Sequence, residues 1–265
     1  MAGNPYHSIE RGEPGRAGWR IHYFEEIPTT QEVARELAAQ GAAEGTVVIA
    51  EQQTAGRGRM GRSWHSPAGA GLYTTTILRP VLSIAQVARI SIMAGVAAAE
   101  ALETAAPGLV ALKWPNDVWL GGKKAGGILA EAVTDRTGAL TCVLLGIGIN
   151  VNLAAADIPV ELRDKATSVR AELGRPYNRV ELAAALFSRL DSRYMEVVSG
   201  GFDSIRAAFG QRFALAGKRI AVADGGAREC GVALGIDEDG ALLLDTEGGV
   251  RRVLAGDVTV EGAYD

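Results

Sequence analysis

Residues 56–62 pack three glycines and three arginines into Gly56-Arg57-Gly58-Arg59-Met60-Gly61-Arg62, directly after Glu51-Gln52-Gln53-Thr54-Ala55. The spacing Gly56-x-Gly58-x-x-Gly61 matches the bare dinucleotide-binding fingerprint, which requires its glycines to close a strand and open a helix. Here residues 51–55 separate the glycines from the apolar run 47–50. Ser63-Trp64-His65-Ser66-Pro67 then follows, with Gly69 and Gly71, and no helix starts there. A pliable backbone carrying guanidinium groups suits closure over a phosphate or an acyl phosphate, to which arginine offers paired hydrogen bonds. An exposed basic turn has the same composition.

A second cluster shifts the balance toward chemistry. Lys113-Trp114-Pro115-Asn116-Asp117 precedes Lys124-Ala125-Gly126-Gly127, which sets two lysines, an amide and a carboxylate on neighbouring strands. A lysine beside a carboxylate also reads as a surface ion pair of little worth. Trp, Pro, Asn and Asp are poor strand formers, however, so something other than β-propensity selects them. Asp117 and Asn116 could hold Mg²⁺ together with phosphates. Lys113 and Lys124 could neutralise phosphate or polarise a carboxylate oxygen. With the arginine loop, these groups point to activation of a carboxylate by a nucleotide, the cations stabilising charge on the α-phosphoryl group. Neither a P-loop nor a Gly-x-Ser-x-Gly elbow is present.

The elements that must position these groups can be read from the pattern. Residues 1–18 mix Gly, Pro and charge without periodicity and read as a flexible N-terminal tail. Ile21, Tyr23 and Phe24 suggest a first strand, and Thr29 with Glu32 is a capping box ahead of an amphipathic helix. A helix N-terminus with free N–H groups and hydroxyls also makes a polar ligand pocket. Residues 47–50 and 72–78 read as strands, and 83–105 as a long helix. Strands at 109–113, 118–120, 125–133 and 140–151 follow, with a tight turn at Gly121-Gly122. Gly146 and Gly148 inside the last of these suggest close approach of a ligand or another backbone. Residues 158–173 read as loop and short helix, and 180–197 and 203–213 as helices. From residue 215 five short strands alternate with turns at Asp224-Gly225-Gly226, 237–240 and 246–249, the texture of a small β-barrel. The expected organisation is a tail over 1–18, a catalytic domain over 19–214 and a small barrel over 215–265. The fold class is α+β, a mixed sheet packed with helices.

Composition excludes several classes. The chain has 265 residues, of which 48% are hydrophobic and 22% charged, which is ordinary globular material. A net charge of −4 argues against nucleic-acid binding by bulk electrostatics. Two cysteines outside any CxxC and three scattered histidines give no zinc site or disulfide framework, so a reducing cytoplasm is the expected compartment. The apolar stretch 84–106 carries Gln86, Arg89, Glu100 and Glu103 and reads as a buried helix, not a membrane span.

Four stretches together resemble the successive signatures of biotin–protein ligases, in that family's order and spacing. They are Gln53 to Trp64, Lys113-Trp114-Pro115-Asn116-Asp117, Lys124-Ala125-Gly126-Gly127-Ile128-Leu129-Ala130-Glu131 and Gly146-Ile147-Gly148-Ile149-Asn150-Val151-Asn152. Gly235-Ile236-Asp237-x-Asp239-Gly240-Ala241-Leu242 is similar to the family's C-terminal SH3-like barrel. The resemblance implies two steps. Biotin's carboxylate attacks the α-phosphorus of MgATP to give biotinyl-5′-adenylate and pyrophosphate. A lysine amine of a biotin carboxyl carrier domain, as in acetyl-CoA carboxylase, then attacks the acyl carbon and releases AMP.

Carried over by position, the resemblance implies biotin contacts from Thr29, Thr30 and Gln31. It implies a loop of Gln53, Arg57, Gly58 and Arg59 closing over the adenylate, and Lys124 at the biotin carboxyl end. Gly126, Gly127, Gly146 and Gly148 would line the biotin pocket. Arg57, Arg59, Arg62, Trp64, Lys113, Asn116 and Asn150 would face the nucleotide, and Asp117 the Mg²⁺ that comes with ATP. Arg59, Lys113 and Lys124 are the expected catalytic groups. Gln31 stands where asparagine is commoner, and Gly126 where alanine is usual. Some members carry an N-terminal DNA-binding domain. With about twenty residues ahead of the first strand, a monofunctional ligase without nucleic-acid or membrane partners is expected. Edge-to-edge pairing of an exposed strand would give a homodimer. A lipoate–protein ligase and a non-catalytic biotin-binding protein on the same scaffold are the competing readings. The second would be expected to have lost Arg59, Lys113 or Lys124, and all three are present.

Overall fold

The computed structural model describes residues 4–9, 18–224 and 227–260. The first strand, β1 (Arg20–Ile27), runs parallel to β2 (Thr46–Gln53), in register from Arg20↔Thr46 to Ile27↔Gln53. A parallel pair needs a crossover, which α1 (Thr30–Ala39) supplies. Thr29 caps that helix by accepting from the Gln31 N–H at 3.3 Å. The reciprocal arm of the expected capping box is replaced, because Glu32 accepts a charge-assisted bond from Arg57 instead.

β3 (Gly71–Leu78) is buried along its whole length. A single 3₁₀ turn, Ile84–Gln86, held by a Ser83–Gln86 capping box, leads into α2 (Val87–Glu103). β4 (Val110–Lys113), β5 (Asp117–Leu120), β6 (Lys123–Thr134) and β7 (Leu140–Asn150) complete a seven-stranded sheet of order β1-β2-β3-β7-β6-β5-β4. Gly121 and Gly122, at φ 57° and 83°, make the two-residue hairpin between β5 and β6. Both positions need positive φ, which fits the glycine pair.

The short α3 (Val169–Leu173), the long α4 (Arg179–Val198) and α5 (Phe202–Gly210) follow. The apolar, alanine-rich α2 packs against α4 and α5 and against β6, and its buried residues form the main core. A smaller core under α1 gathers Ala34, Val48, Ile77 and Leu144 on the other face of the sheet. Helices thus cover both faces of the sheet, as a mixed sheet with apolar residues on both faces requires.

β8 (Arg219–Asp224), β9 (Ala227–Ile236), β10 (Leu242–Thr246), β11 (Gly249–Val253) and β12 (Asp257–Val260) form an antiparallel sheet of order β11-β10-β9-β8-β12. These are the five short strands expected of the SH3-like unit; no β11–β12 pairing closes them among the described residues. The expected turn at Asp224-Gly225-Gly226 falls on residues outside those described.

This sheet is fastened to the larger one. The Trp114 indole N–H donates to the Gly240 carbonyl at 2.9 Å, and Arg89 of α2 donates to Asp239 at 3.0 Å. Part of the stretch read as a flexible tail also packs: Tyr6 is 1% exposed and lies 6.0 Å, ring to ring, from Tyr23. One buried aromatic side chain is enough to dock a short segment that lacks periodicity.

Candidate active site

The expected site residues come together around one cavity of about 480 Å³. One end is formed by the N-terminus of α1, where Thr29, Thr30 and Gln31 are 1%, 4% and 5% exposed. Gln53, at the end of β2, stitches this end to the arginine loop. Its Oε1 accepts from the Thr30 N–H at 2.9 Å and from the Thr30 hydroxyl at 3.2 Å, while Nε2 donates to Ser66 Oγ at 2.9 Å. The Thr75 hydroxyl donates to Thr30 Oγ1 at 2.8 Å from the neighbouring strand.

Gln31 reaches across to β6 and β7. Its Nε2 donates to Glu131 at 3.1 Å and to the Leu129 and Leu144 carbonyls at 3.5 Å. Its Oε1 is buried with no partner among the described residues, an acceptor left open for a donor. A Cβ on Gly146 would come 3.4 Å from the Gln31 amide carbon, which puts this glycine against the same amide.

Trp64 lies against the glycines of the middle strands. A Cβ on Gly148 would fall 2.6 Å from Trp64 Nε1, and one on Gly127 would sit 3.4 Å from the same ring. The indole N–H is buried and has no partner among the described residues. Gly126 is different: its missing Cβ would point to the Gly148 carbonyl and the Val118 side chain, away from the cavity. Adjacent strand residues face opposite sides of a sheet, so with Gly127 turned to the cavity, Gly126 faces the packed interior.

The charged groups hang from β4, β5 and β6. Lys124 Nζ lies 2.6 Å from Asp117 Oδ1 and 5.4 Å from the centre of the Trp64 ring. Lys113 sits 5.4 Å from the Trp119 ring centre. Burial pushes the Lys113 ammonium below the usual lysine range, the Asp117 charge opposing and Lys124 adding to the shift. Arg59 reaches in from the loop and donates to Asn116 Oδ1 at 3.0 Å, and Asn116 Nδ2 donates in turn to the Ile128 carbonyl at 3.1 Å. Asn150 closes the far wall by donating to the Thr167 carbonyl at 3.0 Å.

The two outer arginines have carboxylate partners on other elements. Arg57 pairs with Glu32 of α1, and Arg62 pairs with Asp257 of β12. Between them the loop tip turns at Met60, whose φ of 57° lies in the left-handed region, followed by Gly61 at 72°. Gly58, expected in the closing loop, lines the cavity beside Arg57.

Asp117 was expected beside Mg²⁺. Its carboxylate is engaged by Lys124, and no group of three His, Cys, Asp or Glu side chains that could hold a metal exists among the described residues. A Mg²⁺ at Asp117 would therefore have to draw this carboxylate from Lys124 and complete its shell with phosphate oxygens and water.

Sequence reading missed one wall. Leu153, Ile158, Pro159 and Leu162, in the segment after β7 that turns twice as 3₁₀ helix, also line the cavity. Leu153 and Ile158 are 6% and 4% exposed. These apolar residues recur through an otherwise polar loop, and that was the available signal. Asp257, Val258 and Thr259 of the C-terminal sheet also reach the cavity rim. The whole is a chamber lined by the hydrogen-bonding N-terminus of α1, by six lysine and arginine side chains (Arg57, Arg59, Arg62, Lys113, Lys124 and Lys165) and by an apolar wall suited to a flat ring.

The biotin/lipoate A/B protein ligase family model matches residues 23–150, and the biotin protein ligase C-terminal domain model matches residues 216–260. Over 244 residues the chain is 38% identical to the bifunctional ligase/repressor BirA of Bacillus spizizenii, an alignment covering 91% of this chain and 74% of that protein. It is 36% identical over 232 residues to the biotin–[acetyl-CoA-carboxylase] ligase of Paracoccus denitrificans, covering 84% of this chain and 94% of that protein. Among solved structures, the biotin protein ligase from Aquifex aeolicus in complex with biotin and ATP aligns with a TM-score of 0.79 at 29% identity. That alignment covers 91% of this chain and 98% of the other.

Proposed function

The chain belongs to the biotin/lipoate A/B protein ligase family, and from that membership we infer a biotin–protein ligase that activates biotin with ATP and transfers it to a carrier protein. One observation carries the assignment of roles. Arg59, Lys113 and Lys124 converge on a cavity whose other end is the N-terminus of α1.

Biotin enters with its ureido ring toward Thr29, Thr30 and Gln31, where the open Gln31 Oε1 accepts an N–H. Its carboxylate then points to Lys124, whose ammonium orients the attacking oxygen. The adenine ring lies along Leu153, Ile158 and Leu162, which sets the α-phosphorus beside Lys113, Asn116 and Arg59. Attack of the carboxylate oxygen forms the acyl–phosphate bond and breaks the bond to pyrophosphate. The cations stabilise the charge that develops on the phosphoryl oxygens. Magnesium arrives as MgATP, held by phosphate oxygens. In the second step the neutral ε-amine of a carrier lysine attacks the acyl carbon, AMP leaves with the bonding pair, and the amine proton passes to solvent. The acceptor is the biotin carboxyl carrier domain of a carboxylase. We place the reaction in the cytoplasm, where a thiol such as that of Cys142 stays reduced.

The test is the intact mass of a purified carrier domain incubated with the protein, MgATP and either biotin or lipoate. Addition of one biotinyl group, lost when the carrier lysine is replaced, supports the reading. Addition of lipoyl alone, or of nothing, overturns it.

A further inference from the structure

Residues 54–70 leave the large sheet at the end of β2 and re-enter it at β3, and both roots meet one ion pair outside the cavity. Arg179, the first residue of α4, holds Glu51 with two hydrogen bonds, Nη2 to Oε1 at 2.7 Å and Nη1 to Oε2 at 3.1 Å. Both side chains are 20% exposed. Glu51 Oε1 also accepts the Gly69 N–H at 2.8 Å, and Oε2 accepts the Tyr23 hydroxyl at 3.2 Å. Arg179 Nη1 donates to the Gly71 carbonyl at 3.2 Å, and the Tyr73 hydroxyl donates to the Pro67 carbonyl at 3.2 Å. Burial pushes the Glu51 carboxyl up, but the bonds and charge of Arg179, with the Tyr23 and Gly69 bonds, outweigh this and hold it below its usual range. Tyr6, packed on Tyr23, shields the cluster, and its own pKa is pushed up by that burial.

The loop tip is held differently. Arg57–Glu32 and Arg62–Asp257 are exposed pairs, with side chains 58% and 43%, and 66% and 38%, accessible. Such pairs exchange partners at little cost. A paired guanidinium–carboxylate contact that is mostly shielded from water is the firmer joint. The loop therefore has a fixed base and a loose tip, and the tip carries Arg59.

We propose that Glu51 and Arg179 are a positioning pair that fixes the base of the arginine loop, so that Arg59 closes over the acyl adenylate and the intermediate stays on the protein until the carrier lysine takes it. This rests on the ligase reading above. Neither residue touches the reacting atoms.

The test uses the full chain with Glu51→Gln, Arg179→Lys and the double variant. Each is given MgATP, biotin, a carrier domain and a bystander protein with accessible lysines. The ratio of bystander to carrier biotinylation should rise roughly tenfold in each single variant, within the range reached by coupled neighbouring charges. Pyrophosphate release should fall by less than the ratio rises, and the double variant should do no more than the worse single one. An unchanged ratio with a lowered melting temperature would reduce the pair to a structural role and overturn the proposal. If Glu51→Gln unfolds, Tyr6→Ala leaves both charges in place and must raise the same ratio; no rise there also overturns it. Failure of wild type to label the carrier would be a separate result, since it removes the ligase reading itself.

Discussion

The Lys124 ammonium stands 2.6 Å from the Asp117 carboxylate across the β5–β6 pairing. On the ligase reading proposed above, Asp117 would aim Lys124 into the cavity, and the substrate carboxylate would compete for the same ammonium. Lys124→Ala is expected to lower biotin-dependent pyrophosphate release by roughly a hundredfold, the scale of losing one fixed donor to a developing charge. The melting temperature should change little. Release at the wild-type rate would remove Lys124 from its assigned role.

Among the described residues Arg59 bonds Asn116 rather than a carboxylate, so no ion pair there has to break before it meets phosphate. Arg59→Gly should leave biotin binding without nucleotide intact and let the adenylate escape. Bystander labelling should then rise relative to carrier labelling. Labelling still confined to the carrier lysine would count against the loop as a lid.

The Lys113 ammonium is pushed down by burial, which gives a pH signature. The unfolded chain holds more protons in the window between the lowered value and the usual lysine value, so this group's contribution to stability rises with pH there. Catalysis needs the charged form, and pyrophosphate release should fall as pH climbs through the same window. Lys113→Arg keeps a charge throughout and should shift that alkaline limb upward. Superimposable limbs for the two proteins would refute the assignment.

Gly148→Ala places a Cβ 2.6 Å from Trp64 Nε1. The indole must move, at a cost of about 1–3 kcal/mol for a forced repacking. The apparent KM for biotin should rise more than kcat falls, and Trp64 fluorescence should shift. Gly126→Ala, on the opposite face of β6, should leave the KM for biotin close to wild type. Equal effects at both positions would mean that the cavity is misplaced.

Much of this was legible along the chain. The strands, the long apolar helix and the cationic clusters declared themselves because period, β-branching and glycine pairs act locally. Thr29, Gln53, Arg59, Lys113, Lys124 and Gly148 reach one cavity, as their motifs implied. What escaped was set by partners distant in sequence. Glu51 and Arg179 lie 128 residues apart, and neither belongs to a recognisable motif. The capping-box arm of Glu32 was taken by Arg57, a competitor no local pattern announces. Gly126 could be placed only once the facing of β6 was known. Tyr6 escaped because an isolated aromatic residue in a Gly- and Pro-rich stretch has no period to reveal burial.

The bond from Trp114 to the Gly240 carbonyl spans 126 residues. The turn that carries Lys113, Asn116 and Asp117 is therefore completed by a backbone group synthesised 126 residues after Trp114. A nascent chain on the ribosome lacks that partner until the second sheet has emerged. Reactive acyl adenylate is thus expected only once the turn between β9 and β10 has been made and docked on Trp114.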